Sequence, residues 1–338
     1  MEVQAGKGWA MGAGVRLLAL LAILAAGSWA LAQEPRVVRV GLQAGGTFSW
    51  VVYAIERFGI DKQLGIQVKE VTYPSKQATQ IALRSGEVQV TVDDFIEAVR
   101  MQQQGIPARA VYPYSLVTGG VVVRADSPIK SVADLKGKTI AAQSLGDKSL
   151  LILRALAVFK YGFDPQKDSK VVAAAPPLMA ELLRRGEIDA GLPFWHFVAR
   201  QVASGESREL ISAAAMLKEL GAPPDLPLLL IIARNDADAG TIERLLKAVQ
   251  LANQRMRETD AFWKEILDRN LYALPDPSLM PAVRKRWEAG LPQRWDAGVV
   301  VGLTNLVQRM VQVAGAEVVG VSRFDARAYS TQFRPLGD

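Results

Sequence analysis

The chain has 338 residues, half of them hydrophobic, with a formal net charge of +6, one histidine and no cysteine. The absence of cysteine excludes disulfides, thiolate zinc sites, cysteine nucleophiles and anchoring through an N-terminal lipidated cysteine. With no second histidine, Ser-His catalysis and metal sites lack their parts, and no cofactor is expected.

The first 32 residues read as a signal peptide. Lys7 and Arg16 give a positive start, Leu17 to Ala26 is an unbroken apolar run, and Ala30-Leu31-Ala32 is a small-residue cleavage site. The run is far shorter than the ~20 residues a helix needs to cross a bilayer. Cleavage after Ala32 and a periplasmic location are expected. No later apolar stretch approaches spanning length. The basic residues are scattered. Arg284-Lys285-Arg286 is the densest group and reads as a solvated helix face, so nucleic acid is not an expected partner.

From Val37 the pattern alternates. Val37 to Gly41 predicts a strand, Phe48 to Phe58 a helix, Gln67 to Tyr73 a strand, and a helix runs through Leu83. Val88 to Val92 predicts a third strand, and Asp94 to Gln104 the next helix. The theme restarts after Gly119-Gly120. Strands are expected at Val121 to Val123, Lys138 to Ala142, Val171 to Ala174 and Ile188 to Leu192, with helices at Leu150 to Tyr161 and Pro177 to Arg185. Beyond Asn235 the apolar spacing is helical. This alternation predicts an α/β protein of two similar units, each a mainly parallel sheet flanked by helices.

Two stretches one hundred residues apart state the same phrase, Leu83-Arg84-Ser85-Gly86-Glu87-Val88 and Leu183-Arg184-Arg185-Gly186-Glu187-Ile188. Each ends a helix at a glycine suited to positive φ and feeds a short strand. The residues after those strands differ: Asp93-Asp94-Phe95 in one copy and Pro193-Phe194-Trp195 in the other. Ligands of open parallel sheets bind beyond strand carboxyl ends, so the two tips are candidate walls of one cleft.

These repeats, with Ser131-Val132-Ala133-Asp134-Leu135-Lys136-Gly137-Lys138 and Gly162-Phe163-Asp164-Pro165, resemble the type 2 periplasmic solute-binding proteins of ABC importers. The likeness is to the sulfonate, nitrate, taurine and thiamine-pyrimidine group. It implies lobe one at 35–117 plus 229–338 and lobe two at 118–228, joined by two crossovers, with a ligand cleft between them. It also implies a monomer without enzymatic activity that captures a small molecule and delivers it to an inner-membrane permease and its ATPase. Fungal pyrimidine synthases of similar fold carry a cysteine-rich motif that this chain lacks. A periplasmic helper that docks a partner protein such as a dehydrogenase is the other reading.

Candidate ligand contacts follow from position. Gly45, Gly46 and Thr47, with Trp50 beyond them, open the first helix, where free amides favour anions. Ser144, Gly146 and Ser149 form the counterpart in the second unit, with Lys148 expected in solvent. Asp93 suits a helix cap or a carboxylate facing ligand, and Asp94 adjoins it. Tyr114, Phe194 and Trp195 are candidate stacking surfaces. His196, beside two aromatics, reads as a packing residue.

Overall fold

The computed structural model of the protein describes residues 1–2, 34–116, 119–322 and 324–333. All but the first two residues of the expected signal peptide, and its cleavage point, lie outside the described residues.

The first unit lays down β1 (Arg36–Gln43), α1 (Phe48–Arg57), α2 (Ile60–Gln63), β2 (Ile66–Tyr73), α3 (Lys76–Ser85), β3 (Val90–Asp94), α4 (Glu97–Gln103) and β4 (Ala108–Ser115). The second contains β5 (Gly120–Arg124), β6 (Thr139–Ala142), α5 (Lys148–Leu156), α6 (Pro165–Asp168) and β7 (Lys170–Ala173). It continues through α7 (Pro176–Arg184), β8 (Ala190–Gly191), α8 (Trp195–Ala203), β9 (Ser207–Ser212) and α9 (Ala213–Glu219). The chain then returns with β10 (Leu229–Arg234) and runs through α10 (Ala239–Glu258), α11 (Asp260–Asp268), α12 (Met280–Ala289), α13 (Ala297–Ala314) and α14 (Ala316–Val319).

Two five-stranded sheets result, ordered β2-β1-β3-β10-β4 and β7-β6-β8-β5-β9. In the first, β10 runs against β3 and β4, whereas β1 is parallel to β2 and β3. In the second, β5 runs against β8 and β9, and β6 is parallel to β7 and β8. Each sheet is thus parallel except for one strand. That strand is always the one laid down as the chain arrives from the other sheet.

The repeated phrase folds the same way twice. Gly86 (φ 82°) and Gly186 (φ 73°) are both left-handed. Their N–H groups donate to the carbonyls of Leu83 and Leu183, ending α3 and α7 alike. Ser131 and Asp134 form the expected capping box over a 3-10 turn, Val132–Leu135. Several boundaries differ. The strand expected at Ile188 to Leu192 is only Ala190–Gly191, and the helix expected at Leu150 to Tyr161 starts at Lys148 and is α-helical to Leu156. β3 extends to Asp94, so Asp93 and Asp94 both pair with β10.

The apolar core runs across both units. One cluster joins Leu83, Phe95 and Val99 to Leu150 and Leu153 of α5 and to Leu303 and Leu306 of α13. A second packs β1, α1 and α10 with Trp195 and Ala199 of α8. Against the expectation that no later stretch approaches spanning length, the 18-residue helix α13 has a mean hydropathy of 1.2, long and apolar enough to cross a membrane by length and composition. Its Leu303, Leu306, Val307 and Met310 are buried in the shared cluster, so one face packs on the core while most of the helix is not buried.

At the first crossover, Gly119 sits at φ 123°, and a β-carbon there would come within 2.2 Å of the Pro193 carbonyl oxygen. At Gly120 a β-carbon would strike the Glu209 carboxylate at 2.2 Å. That carboxylate is held by both terminal nitrogens of Arg286 on α12, at 2.8 and 2.5 Å. Close packing and positive φ therefore both demand glycine at 119. Gly119→Ala is expected to cost about 2–4 kcal/mol of stability in urea unfolding. A loss below about 0.5 kcal/mol would show that the crossover relaxes freely.

Candidate functional site

The carboxyl ends of β1, β3, β6 and β8 converge, as the parallel topology requires. Between the sheets they leave a cavity of about 90 Å³. The first unit contributes Gly41 to Gln43, Gly46 to Phe48, Lys76, Thr91 to Asp94 and Tyr114. The second contributes Gln143, Asp147, Lys148, Phe194 and Trp195.

Seven of the sequence-predicted residues meet there: Gly46, Thr47, Asp93, Asp94, Tyr114, Phe194 and Trp195. Tyr114 falls where the β4–β10 register slips, and its hydroxyl lies 3.2 Å from Thr47 Oγ1. Such irregularities turn a strand side chain off its regular alternation. Ser144 and Gly146 line an adjoining outer space. Gly45 is exposed, at φ 73°, outside the wall of the cavity.

Two expected contacts are elsewhere. Trp50 is 1% exposed and packs edge-on against Trp195 and Trp263, donating Nε1–H to the Leu271 carbonyl at 3.3 Å. It is a core residue, because α1 turns that face away from its amino end. Ser149 is buried behind the wall, where its backbone N–H donates to Asp147 Oδ1 at 2.9 Å.

The carboxylates divide the work differently from expectation. Asp94, not Asp93, caps α4: its Oδ1 accepts from the N–H groups of Ile96 and Glu97 at 3.0 and 3.1 Å. Its Oδ2 takes the Lys76 ammonium. Asp93 accepts from Gln80 Nε2 at 2.8 Å and lies 3.0 Å from Lys76 Nζ. Glu97 takes Arg84 and, at 3.4 Å, Arg100. Burial alone would raise the Asp94 carboxyl, but Lys76, Arg100 and Lys148 hold it well below the usual carboxylate range. Burial would likewise lower Lys76, yet Asp93 and Asp94 hold its ammonium above the usual lysine range. Glu97 goes the other way. Burial, with Asp93 and Asp94 nearby, pushes it up to about 7 despite its two arginines.

Lys148 overturns the expectation of a solvated side chain. It is 4% exposed, lines the cavity, and its nearest carboxylate oxygen is Asp147 Oδ2 at 3.9 Å. The other oxygen of Asp147 caps α5. Two more helices, α1 and α8, begin at the cavity wall without a side-chain cap or an acidic residue in their first turn. Their amino ends place partial positive charge beside Lys148.

Reading from sequence missed Gln43, Lys76, Gln143, Asp147 and Lys148. The strand-end rule, applied to β2 as well as to β1 and β3, points to Lys76 just beyond Tyr73. Nothing in the sequence marks Lys148 as buried.

His196 sits outside the wall, 3% exposed and ringed by Trp50, Phe194, Trp195, Phe197 and Tyr272. Its Nδ1 has no partner, and burial, with Arg200 close by, pushes the imidazole down to about 3. Among the described residues, no three His, Cys, Asp or Glu side chains form a metal-holding group.

Two matching mixed sheets with a cleft at their carboxyl ends define a two-lobed protein of the type 2 periplasmic-binding fold. The chain belongs to the NMT1/THI5-like family, whose model matches residues 52–259. It is similar in structure to the alkanesulfonate-binding protein SsuA of Xanthomonas axonopodis pv. citri bound to MOPS, at 18% identity and a TM-score of 0.69, covering 88% of this chain and 99% of that one. The periplasmic aliphatic sulphonate-binding protein SsuA of Escherichia coli is similar at 18% identity and a TM-score of 0.70, over 90% and 94% of the two chains. The desulfurization enzyme DSZB is similar at 14% identity and a TM-score of 0.59, over 88% and 97%. Comparison with curated proteins gave no match.

The buried groups set opposing pH dependences. His196 is neutral in the folded state down to about 3, against 6.5 for the free group, so its contribution is full above 6.5 and lost as pH falls. Glu97, raised from 4.5 to about 7, contributes stability fully below 4.5 that is lost as pH rises through 7. The two effects offset each other between pH 4.5 and 6.5. His196→Gln should therefore make the protein more stable on acidification across that window, and Glu97→Gln less stable, each by roughly 1 kcal/mol per pH unit. Urea unfolding at a series of pH values checks this; parallel curves for both variants and the parent would contradict it.

Proposed function

We propose that the protein captures a small organic anion between its lobes and is the substrate-binding component of an ABC-type importer. In this reading the lobes divide at 117/118 and 228/229, and closing them around the ligand commits it for delivery to the permease and its ATPase in the periplasm.

The observation that carries the reading is Lys148. A buried ammonium costs several kcal/mol unless paired at close range. Among the described residues its one carboxylate contact within 4 Å is Asp147 at 3.9 Å, with one oxygen already engaged. Asp94, which also feels its charge, is already paired with Lys76. The Lys76, Arg84 and Arg100 side chains already make close ion pairs with Asp93, Asp94 and Glu97. An anionic head in the cavity would complete Lys148 and meet the uncapped ends of α1 and α8. Both similar SsuA proteins are named for binding sulfonates, which is consistent with such a head.

Binding without catalysis is the better reading of the rest of the site. The chain has no cysteine, and its one histidine is buried away from the cavity with its imidazole neutral.

The test is thermal unfolding with sulfonates, nitrate, pyrimidines and aromatic carboxylates, on the chain and on Lys148→Met. A matching organic anion at a hundred times its Kd should add about 2.7 kcal/mol, or roughly 5 °C in Tm. Lys148→Met should weaken that ligand at least tenfold without lowering the unliganded Tm. No shift with any probe, together with co-purification of a partner protein, would overturn the reading in favour of a protein-docking helper.

A further inference from the structure

The inner cavity adjoins a second, wider space of about 420 Å³. The two share Gln43, Lys76, Gln143 and Asp147 as walls, so only these side chains stand between them. Their chemistry differs. The rings of Phe48, Tyr114, Phe194 and Trp195 surround the inner part together with Lys148. The outer part has no aromatic wall. Gln77 and Gln80 extend the two shared glutamines, Ser75 and Ser144 add hydroxyls, and Arg100 adds a charge. That charge, like that of the shared Lys76, already has partners: Glu97 and the Val319 carbonyl for Arg100, Asp93 and Asp94 for Lys76.

Some of these groups are committed. Gln80 donates to Asp93, and Ser75 Oγ caps α3 by accepting from the Ala78 N–H. The side chains of Gln43, Gln77 and Gln143 make no hydrogen bond among the described residues. A primary amide offers two N–H donors and a carbonyl acceptor, and it carries no charge. Three uncommitted amides facing one space suit a neutral hydrogen-bonding group. They also disfavour an apolar one, which would leave them desolvated and unpaired.

We propose that the ligand is bipartite. An anionic head sits at Lys148, a short apolar link passes the aromatic rings, and a neutral amide- or hydroxyl-bearing body occupies the outer space, read by Gln43, Gln77 and Gln143. This rests on the anion reading above and narrows it to a substrate class.

Calorimetric titration with N-acetyltaurine and pentanesulfonate tests it, because the two match in length and differ in the amide. N-acetyltaurine should bind the parent at least tenfold more tightly. Gln77→Leu, at a residue that lines only the outer space, should cut that preference at least fivefold while retaining pentanesulfonate binding and the parent's Tm. Lys148→Met should weaken both probes. Equal or tighter binding of pentanesulfonate by the parent, or a preference unchanged in Gln77→Leu, would overturn the bipartite ligand and leave the anion reading standing. Failure of both probes to bind, or indifference of both to Lys148→Met, would overturn the anion reading and this inference with it.

Discussion

Ionised side chains do not sit in a protein interior unless something answers them. This constraint organises the cleft. Asp93, Asp94 and Glu97 are all nearly fully buried, on consecutive turns of chain where β3 passes into α4. Asp94 satisfies two amides that the start of α4 would otherwise leave without partners, and it anchors Lys76 from the start of α3. Glu97 reaches Arg84 near the end of α3 and Arg100 one turn along α4. Arg100 in turn donates to the Val319 carbonyl at 2.8 Å, tying the C-terminal turn to the same network. Strand, two helices and the chain's last helical turn are therefore located by one set of charges.

The second unit answers with the same frame and different content. Where β3 ends in two aspartates, the short strand β8 is followed by Pro193 and Phe194, and α8 starts with no side-chain cap. The strand tips thus differ, compensated charge in the first and aromatic in the second, although Phe48 and Tyr114 add rings to the first wall and Lys148 a charge to the second. The chain enters the second unit through the glycine pair at 119 and 120, where the backbone approaches Pro193 and Glu209 too closely for any side chain. The bidentate bond between Glu209 and Arg286 ties β9 to α12 at that same place.

The sequence made the frame legible because frames are written in local signals. The glycine stops at 86 and 186, the capping box at Ser131, and the alternation of strand and helix act within a few residues, where spacing is informative. Side-chain fates depend on what arrives from far along the chain. Trp50 looks like a cleft residue by proximity to Gly46, but Trp195, Trp263 and Tyr272 claim its face from well over a hundred to more than two hundred residues away. Asp93 reads as the helix cap in the sequence, but the pairing of β10 with β3 carries the strand on to Asp94, which takes that role. Lys148 next to Asp147 reads as an ordinary exposed pair at a helix start, but it is buried, facing a cavity whose far wall the first unit closes.

The same closure explains why the site is polar at its edge and apolar at its centre. An ammonium lined by aromatic rings attracts an anion more strongly than one in water, because the low local dielectric amplifies each remaining charge. That gain exists only while water is kept out. The rings of Phe48, Tyr114, Phe194 and Trp195 provide the exclusion, and they belong to both units, so neither wall alone creates the site. In the proposed reading, binding strength at Lys148 is therefore coupled to how the two walls meet, and a ligand that bridges them stabilises the arrangement that makes its own charge count. Selectivity among anions would then fall to groups beyond the rings, where uncharged amides stand beside ions that already have partners.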